Sequence, residues 1–362
     1  MNKKKKILFL SPYPQGIGPS QRFRFEQYFS FLSDSYEVTQ KTFWDNKSWD
    51  ILFSDANFII KFYYLTIAIA KRKLLMFSIK KYDIVFIHRE VAHIGPPIFE
   101  WIIKFILRKK IIYDFDDAIW HLNYSEKNKI ARFFKSPWKV KYICKWADKV
   151  ITGNNYLANY AKLYNDNVVV IPTTIDTDYH KPIVKKNSKL TIGWTGTLTT
   201  LKHLNIIISV LKRLEKNYKF DFLVISNENP QLDLDSFLFK KWEKETEIED
   251  LSKIDIGIMP LYNEEWEKGK CGFKGLQYMA LEIPTVMSPV GVNNEIIDDG
   301  VNGFLAGTEQ GWFEKLSLLL ENEELRKMLG NTGRETVIQK YSVEANNQKY
   351  LDVINSVCYS CI

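Results

Sequence analysis

Residues 255–289 read DIGIMPLYNEEWEKGKCGFKGLQYMALEIPTVMSP. The opening run, DIGIM (255–259), is apolar without period-2 alternation, as in a strand covered on both faces. An acidic, aromatic loop follows. The segment Lys274–Leu281 then has helical length, with Leu276, Met279 and Ala280 along one face. PTVM (284–287) closes the span as a second strand. Strand, helix and strand in this order make a βαβ unit with parallel strands and a right-handed crossover.

The same alternation extends in both directions. Upstream, the strands are KILFL (6–10), DIVFI (83–87), KIIYDF (110–115), KVIT (149–152) and VVVI (168–171). A second series holds LTIGW (190–194), FDFLVI (220–225), DIGIM, PTVM and GFLA (303–306). Segments of helical length, such as Ser20–Leu32 and Leu201–Asn217, lie between them. The pattern breaks once, at Pro172–Ser188, where two prolines and the run Lys185, Lys186, Asn187, Ser188 have linker chemistry. The fold class is therefore α/β: two Rossmann-like, doubly wound parallel-sheet domains facing a cleft, over 1–180 and 181–340. A C-terminal helix, 341–362, is expected to pack back toward the N-terminal domain.

A length of 362 residues suits two domains, and 46% hydrophobic with 26% charged residues excludes disordered and fibrous classes. Net charge is +7, unevenly placed: residues 1–180 carry 28 Lys/Arg against 17 Asp/Glu, a net +11, and the remainder is net −4. A basic front half invites phosphate-rich partners: nucleic acid, an anionic membrane surface or a phosphorylated substrate. Four scattered cysteines make no disulfide framework, and Cys358-x-x-Cys361 has no second pair to complete a metal site. The apolar run after Lys3–Lys6 is too short for a signal peptide, and Phe58–Ala70 is broken by Lys61, so a cytoplasmic location is expected.

Ligands of open α/β sheets bind at the carboxyl ends of the strands. After the first strand come Gly16, Gly18, Ser20, Arg22 and Arg24, which read either as an anion-holding turn with paired arginines or as a flexible turn and solvated helix. His88, Arg89 and Glu90 follow DIVFI: contacts for a phosphate or an acceptor hydroxyl, or an Arg–Glu pair that orders the loop. Asp114, Asp116 and Asp117 follow KIIY. Carboxylates so close repel, so one pKa should rise unless cations or hydrogen-bond donors compensate. They suit a base, sugar hydroxyls, a divalent metal through Asp114-x-Asp116, or a helix cap.

The second half holds the sharper signal. LTIGW runs into the glycine–threonine turn of Gly196 and Thr197, with Lys202 at a helix start. Lys270 and Lys274 flank Gly272 before the next helix, which begins near Gly275. Two ammonium groups beside a helix N-terminus make a diphosphate cradle.

In these stretches the sequence resembles the nucleotide-sugar-binding domain of family 4 glycosyltransferases, retaining enzymes of the two-domain GT-B fold. IPTTID (171–176), GWTGTLTTLKHL (193–204), DIGIMPL (255–261), LQYMALEIPTVMSPVG (276–291) and EIIDDGVNGFLA (295–306) match its motifs in order. RFRFEQY (22–28), HRE (88–90) and YDFDDAIW (113–120) resemble a bacterial subgroup, here with a KCGFK-type donor motif (270–274). The family's two glutamates eight positions apart fall on Gly269 and Gln277, its phosphate-binding arginine on Thr197, and its lysine on Lys202. Glu265 or Glu267 is the candidate substitute for the missing carboxylate. The family's front-half histidine is replaced within Asp114–Asp117.

The resemblance implies transfer of a sugar, with retention, from a nucleotide-diphosphate sugar to an acceptor hydroxyl in bacterial cell-surface polysaccharide or glycolipid assembly. Donor contacts fall to Gly196, Thr197, Lys202, Lys270, Lys274, Gly275, Gln277 and Glu295, and catalysis to Asp114, Asp116, Asp117, Lys202 and Lys274. The acceptor side holds Gly16, Gly18, Arg22, Arg24, His88, Arg89 and Glu90. No metal and no cofactor are expected, since lysines take the divalent ion's role. The expected partners are a nucleotide-diphosphate sugar and a sugar or lipid-linked sugar acceptor; Phe58–Phe77 and Trp101–Lys110 mix apolar and cationic residues and read either as ordinary core-facing helices or as a rest on an anionic inner-membrane surface. Rival readings are a nucleotide-sugar epimerase, a metal-dependent glycosyltransferase of another fold, and a basic nucleic-acid-binding protein. The last lacks aromatic-interleaved lysines, and a dehydrogenase lacks the glycine fingerprint.

Overall fold

A computed structural model describes residues 3–54, 56–121, 136–183 and 189–358. Cys361 and the linker residues Lys185–Ser188 lie outside them. The chain divides into two compact units, Met1–Thr173 with Asn347–Ile362, and Thr174–Asn346. The division thus falls at Thr173–Thr174 rather than at 180/181.

In the first unit the strands are β1 (Lys5–Ser11), β2 (Tyr36–Thr42), β3 (Ile84–His88), β4 (Lys110–Phe115), β5 (Lys149–Thr152) and β6 (Val168–Val170), all parallel in the order β2-β1-β3-β4-β5-β6. In the second they are β7 (Thr191–Gly196), β8 (Asp221–Ser226), β9 (Phe237–Lys241), β10 (Ile256–Met259), β11 (Thr285–Met287) and β12 (Phe304–Leu305), parallel in the order β12-β11-β10-β7-β8-β9. Each order reverses once, between β1 and β3 and between β7 and β10. Such switch points open the crevices where α/β proteins bind ligands.

The ten runs read from the sequence are strands here; β2 and β9 are additional. Both stand at a sheet edge, where a strand needs no continuous apolar run. YEVTQKT and FLFKK leave exposed residues along their length. The expected Ser20–Leu32 helix is three short pieces, Pro19–Arg22, Glu26–Tyr28 and Phe29–Ser33, because Arg24 turns inward, 1% exposed, between the first two. The helix Val343–Cys358 joins the first unit through buried Tyr350, which stacks on Tyr28 at 4.4 Å.

Phe9 packs against Phe25 and Phe86 at the centre of the first sheet, with ring centroids 5.4 and 4.6 Å away. In the second unit Ile192, Ile256, Ile258 and Val286 of the strands meet Leu211, Leu214, Trp312 and Leu316 of the helices. Buried Arg72, from the helix Phe58–Ser78, anchors that helix to the strand ends. It donates to the carbonyls of Ser11, Lys41 and Val91 at 2.9–3.0 Å. Burial, partly opposed by Glu100, brings its pKa down to about 9, still charged at neutral pH. Arg72→Met leaves three carbonyls without this donor, and thermal denaturation should show a loss of about 3 kcal/mol, about 1 per bond.

Candidate functional site

At the β7/β10 switch point, β7 ends at Gly196, whose absent side chain matters: a Cβ there would lie 2.3 Å from the Trp194 ring and 2.7 Å from Thr200 Oγ1. Thr197 caps the following 3-10 helix, Leu198–Ile206, by a reciprocal pair with Thr200. This helix places Lys202 at its middle, not at a helix start, with His203 beside it. Across the switch, β10 leads through Pro260–Glu264 into the short helix Glu265–Lys268 and then Phe273–Ala280. Gly272 caps the latter at φ +68°, a left-handed conformation glycine adopts without strain, and a Cβ would meet Ile296 at 2.2 Å. The buried Tyr278 hydroxyl accepts from the Thr195 N–H at 2.8 Å and pins this helix to the end of β7.

Three sequence-predicted lysines meet here. Lys202, Lys270 and Lys274 all bear on His203, a side chain only 2% exposed. Burial first, then the charges of Lys274, Lys202 and Lys270, drive its pKa down to about 3. The ring is therefore neutral at working pH. Its Nδ1 accepts from the Tyr262 N–H at 3.4 Å, so the proton sits on Nε2. Nε2 lies 3.4 Å from Oε1 of Glu267.

Of the two carboxylates named as candidate substitutes, Glu267 is the one turned into the site. Its side chain is fully buried, with Lys202 Nζ 3.0 Å away, whereas Glu265 is exposed and bound to Lys268. Among the described residues neither oxygen of Glu267, and not His203 Nε2, makes a geometrically formed hydrogen bond. Oε1 is answered by the Lys202 ammonium at 3.0 Å, which leaves Oε2 as the oxygen with room for a further donor. Lys274 lies over the Trp194 ring at 5.3 Å and Lys270 over Trp266 at 6.0 Å.

The remaining donor-side residues have partners of their own. Thr197 Oγ1 pairs with Thr199 Oγ1 at 3.0 Å. Gly275 packs against Met287, whose sulfur a Cβ would meet at 2.6 Å. Gln277 is buried and donates to His180 Nε2 at 3.3 Å; His180 donates through Nδ1 to the Asp176 carbonyl. Glu295 is exposed on the helix Asn293–Ile296 and adds, after burial, to the rise of the Tyr341 phenol to about 12.

At the β1/β3 switch point the charges neutralise one another. Asp114 is fully buried between Arg24 (2.5 Å) and His88 Nδ1 (2.7 Å), and His88 Nε2 faces Ser20 Oγ at 2.7 Å. Arg24 also donates to the Ile171 carbonyl. It is therefore committed to an internal carboxylate, and the expectation of paired arginines holding an external anion is corrected. The Gly16 amide goes likewise to Glu26 at 2.8 Å. Gly18 caps Pro19–Arg22 against the Tyr13 ring, and Arg22 lies over Phe23 at 4.9 Å.

The expected Arg89–Glu90 pair is not formed. Arg89, at φ +60°, reaches Asp116 and Asp117 at 2.7 and 2.5 Å. Glu90 turns to Lys139 at 2.6 Å and His93 at 2.8 Å, which outweigh burial and carry its pKa to about 2. The raised carboxyl pKa is absent from Asp114 and Asp116. Burial would raise both, but Arg24 and His88 hold Asp114 low, and Arg89 with His88 and Arg24 holds Asp116 low. Guanidinium groups already occupy the places a divalent ion would need, so the Asp114-x-Asp116 metal reading does not fit.

His203 and Trp194 were missed by sequence reasoning. The visible signal was a histidine adjacent to the expected phosphate lysine.

With this geometry established, residues 189–322 match the family model described as Glycosyl transferases group 1. The chain is 28% identical over 225 residues to an uncharacterized glycosyltransferase of Methanocaldococcus jannaschii, covering 57% of this chain and 60% of that protein. It is 25% identical over 183 residues to the capsular polysaccharide biosynthesis glycosyltransferase CapM of Staphylococcus aureus, 46% of each. The chain thus spans about half the length of these curated relatives. Among solved structures, a glycosyltransferase from Rickettsia africae aligns with TM-score 0.71 at 15% identity over 100% of both chains. Anabaena HepE, solved with UDP-glucose, aligns at 0.66 and 15% over 97% of this chain and 99% of that one. These likenesses establish the two-domain fold of Rossmann-like units.

His203 gives a signed pH prediction. An unfolded histidine takes up its proton near 6.5, the folded one only near 3, so acidification through this window favours unfolding. His203→Gln, which keeps an N–H donor, should show a shallower fall of Tm between these values than the wild type. Tm measured against pH checks this; parallel curves would contradict the buried neutral ring.

Proposed function

We propose that this protein is a glycosyltransferase that moves a sugar from a nucleotide-diphosphate sugar to an acceptor hydroxyl, in assembly of a cell-surface polysaccharide or glycolipid. The observation that carries the reading is the meeting of Lys202, Lys270 and Lys274 around neutral His203 and buried Glu267 at the β7/β10 switch point. Three ammonium groups and the N-terminus of Phe273–Ala280 suit the charge that grows on a departing diphosphate. Oε2 of Glu267 keeps room for a hydrogen-bond donor, which a sugar hydroxyl supplies. The solved UDP-glucose complex of HepE, a structure of the same fold, agrees with a nucleotide-sugar donor. CapM supports the polysaccharide context.

The finer features follow the family 4 resemblance. Transfer proceeds with retention and needs no divalent ion, its place being taken by lysines. The acceptor engages the first unit, where Ser20, His88, Arg89 and Asp116 stand at the β1/β3 switch point. An epimerase of the same architecture would turn over donor without acceptor, so product analysis with and without acceptor separates the two.

Two outcomes test the reading. In a thermal-shift screen of UDP, GDP, dTDP and their sugars, one donor should stabilise the fold by about 2.7 kcal/mol at a hundredfold excess over its Kd. No shift with any of them contradicts the donor site. Lys202→Ala and Lys274→Ala should each lower kcat by about 10²-fold. Activity should survive EDTA; loss restored by Mn²⁺ would overturn the metal-independent route.

A further inference from the structure

Three neighbouring segments of the first unit leave apolar side chains in solvent. The helix Phe58–Ser78 exposes Phe58 (79%) and Phe62 (53%) in its first two turns, before its packed residues begin. Its Leu65, Ala68 and Ile69 share a cluster with Phe99 of the second segment, Ile98–Ile106. That segment exposes Trp101 and Phe105 and meets the third, Lys139–Trp146, through a Phe105–Trp146 contact at 5.7 Å. Pro96, Pro97, Trp101, Trp138, Tyr142 and Trp146 line a groove of about 250 Å³ along this seam. Soluble monomers rarely leave such a continuous apolar surface uncovered.

The charges on the same segments identify what covers it. They carry eight Lys/Arg, of which Arg72 and Lys139 are buried and Lys71 and Lys104 pair with Asp45 and Asp148, and one carboxylate, Glu100, which is buried and accepts the Val91 N–H at 2.9 Å. Lys73 and Lys145 are exposed, and Lys141 lies over the Tyr142 ring at 5.0 Å. A second copy of the chain would bring lysines against lysines. An anionic bilayer presents phosphates to the cations and acyl chains to the aromatic groove, and Trp and Tyr rings favour that boundary. No helix among the described residues is long and apolar enough to cross a membrane.

We infer that the face formed by residues 58–78, 98–106 and 138–146 seats the protein on an anionic lipid bilayer, with the groove between Trp101 and Trp138 taking an acyl chain. The inference deepens the glycolipid side of the proposed function, yet lipid binding stands without any nucleotide sugar. Failure of one is therefore visible apart from failure of the other.

The test is flotation of the full chain, without donor or acceptor, on phosphatidylcholine vesicles with and without about one-third phosphatidylglycerol. Binding should require phosphatidylglycerol and weaken with salt. The double variant Trp101→Glu/Trp138→Glu should bind at least about tenfold more weakly, and Trp101→Phe/Trp138→Phe should retain binding. Phe62→Glu, on the other helix, gives an independent reading should the double variant fail to fold. Vesicle-bound protein should also show tryptophan quenching by brominated acyl chains. No binding to phosphatidylglycerol vesicles, or glutamate variants that bind like wild type, would overturn the inference. So would concentration-dependent self-association that the same variants abolish, since the face would then be a contact between copies.

Discussion

A charge held inside a protein must be answered by another, and each sheet buries one where its strand order reverses. In the first unit it is Asp114; in the second it is Glu267. The two are answered differently, and much of the chemistry follows from that. Asp114 has Arg24 on one oxygen and His88 on the other, at hydrogen-bonding distance. Glu267 has the field of Lys202 and the edge of His203 but no formed hydrogen bond among the described residues. The first network is closed on itself and fixes geometry, whereas in the second one carboxylate oxygen, Oε2 of Glu267, keeps room for a donor.

This contrast also explains why net charge alone misplaces the phosphate site. The front half carries the basic surplus, yet its best-placed arginines, Arg24 and Arg89, are spent on internal carboxylates. The net-acidic half assembles its three lysines around a ring that cannot take a proton at working pH. A neutral histidine lets the three lysines stand together without a fourth, repelling cation among them. On the front half, Lys73 and Lys145 are among the cations left in solvent, on helices that also expose aromatics.

The fold was largely legible because buried parallel strands announce themselves as unbroken apolar runs. The exceptions, β2 and β9, lie at sheet edges and bury only part of their surface. Lys202, Lys270 and Lys274 were legible because glycine turns before helices mark strand ends. Glu267 was legible only as one of two choices: the turn of Glu265–Lys268, which decides which carboxylate points inward, is a matter of packing. The partners of Arg24, Arg89 and Glu90 were not legible, since they join residues up to 147 positions apart. His203 escaped because a single histidine carries no periodicity.

On the proposed function, Glu267 contacts the sugar and the lysines contact the diphosphate. Calorimetric titration of wild type and Glu267→Gln with a nucleoside diphosphate and with its sugar conjugate separates the two. The variant should keep its affinity for the bare diphosphate and lose the increment that the sugar adds. Equal sugar increments in both proteins would contradict it.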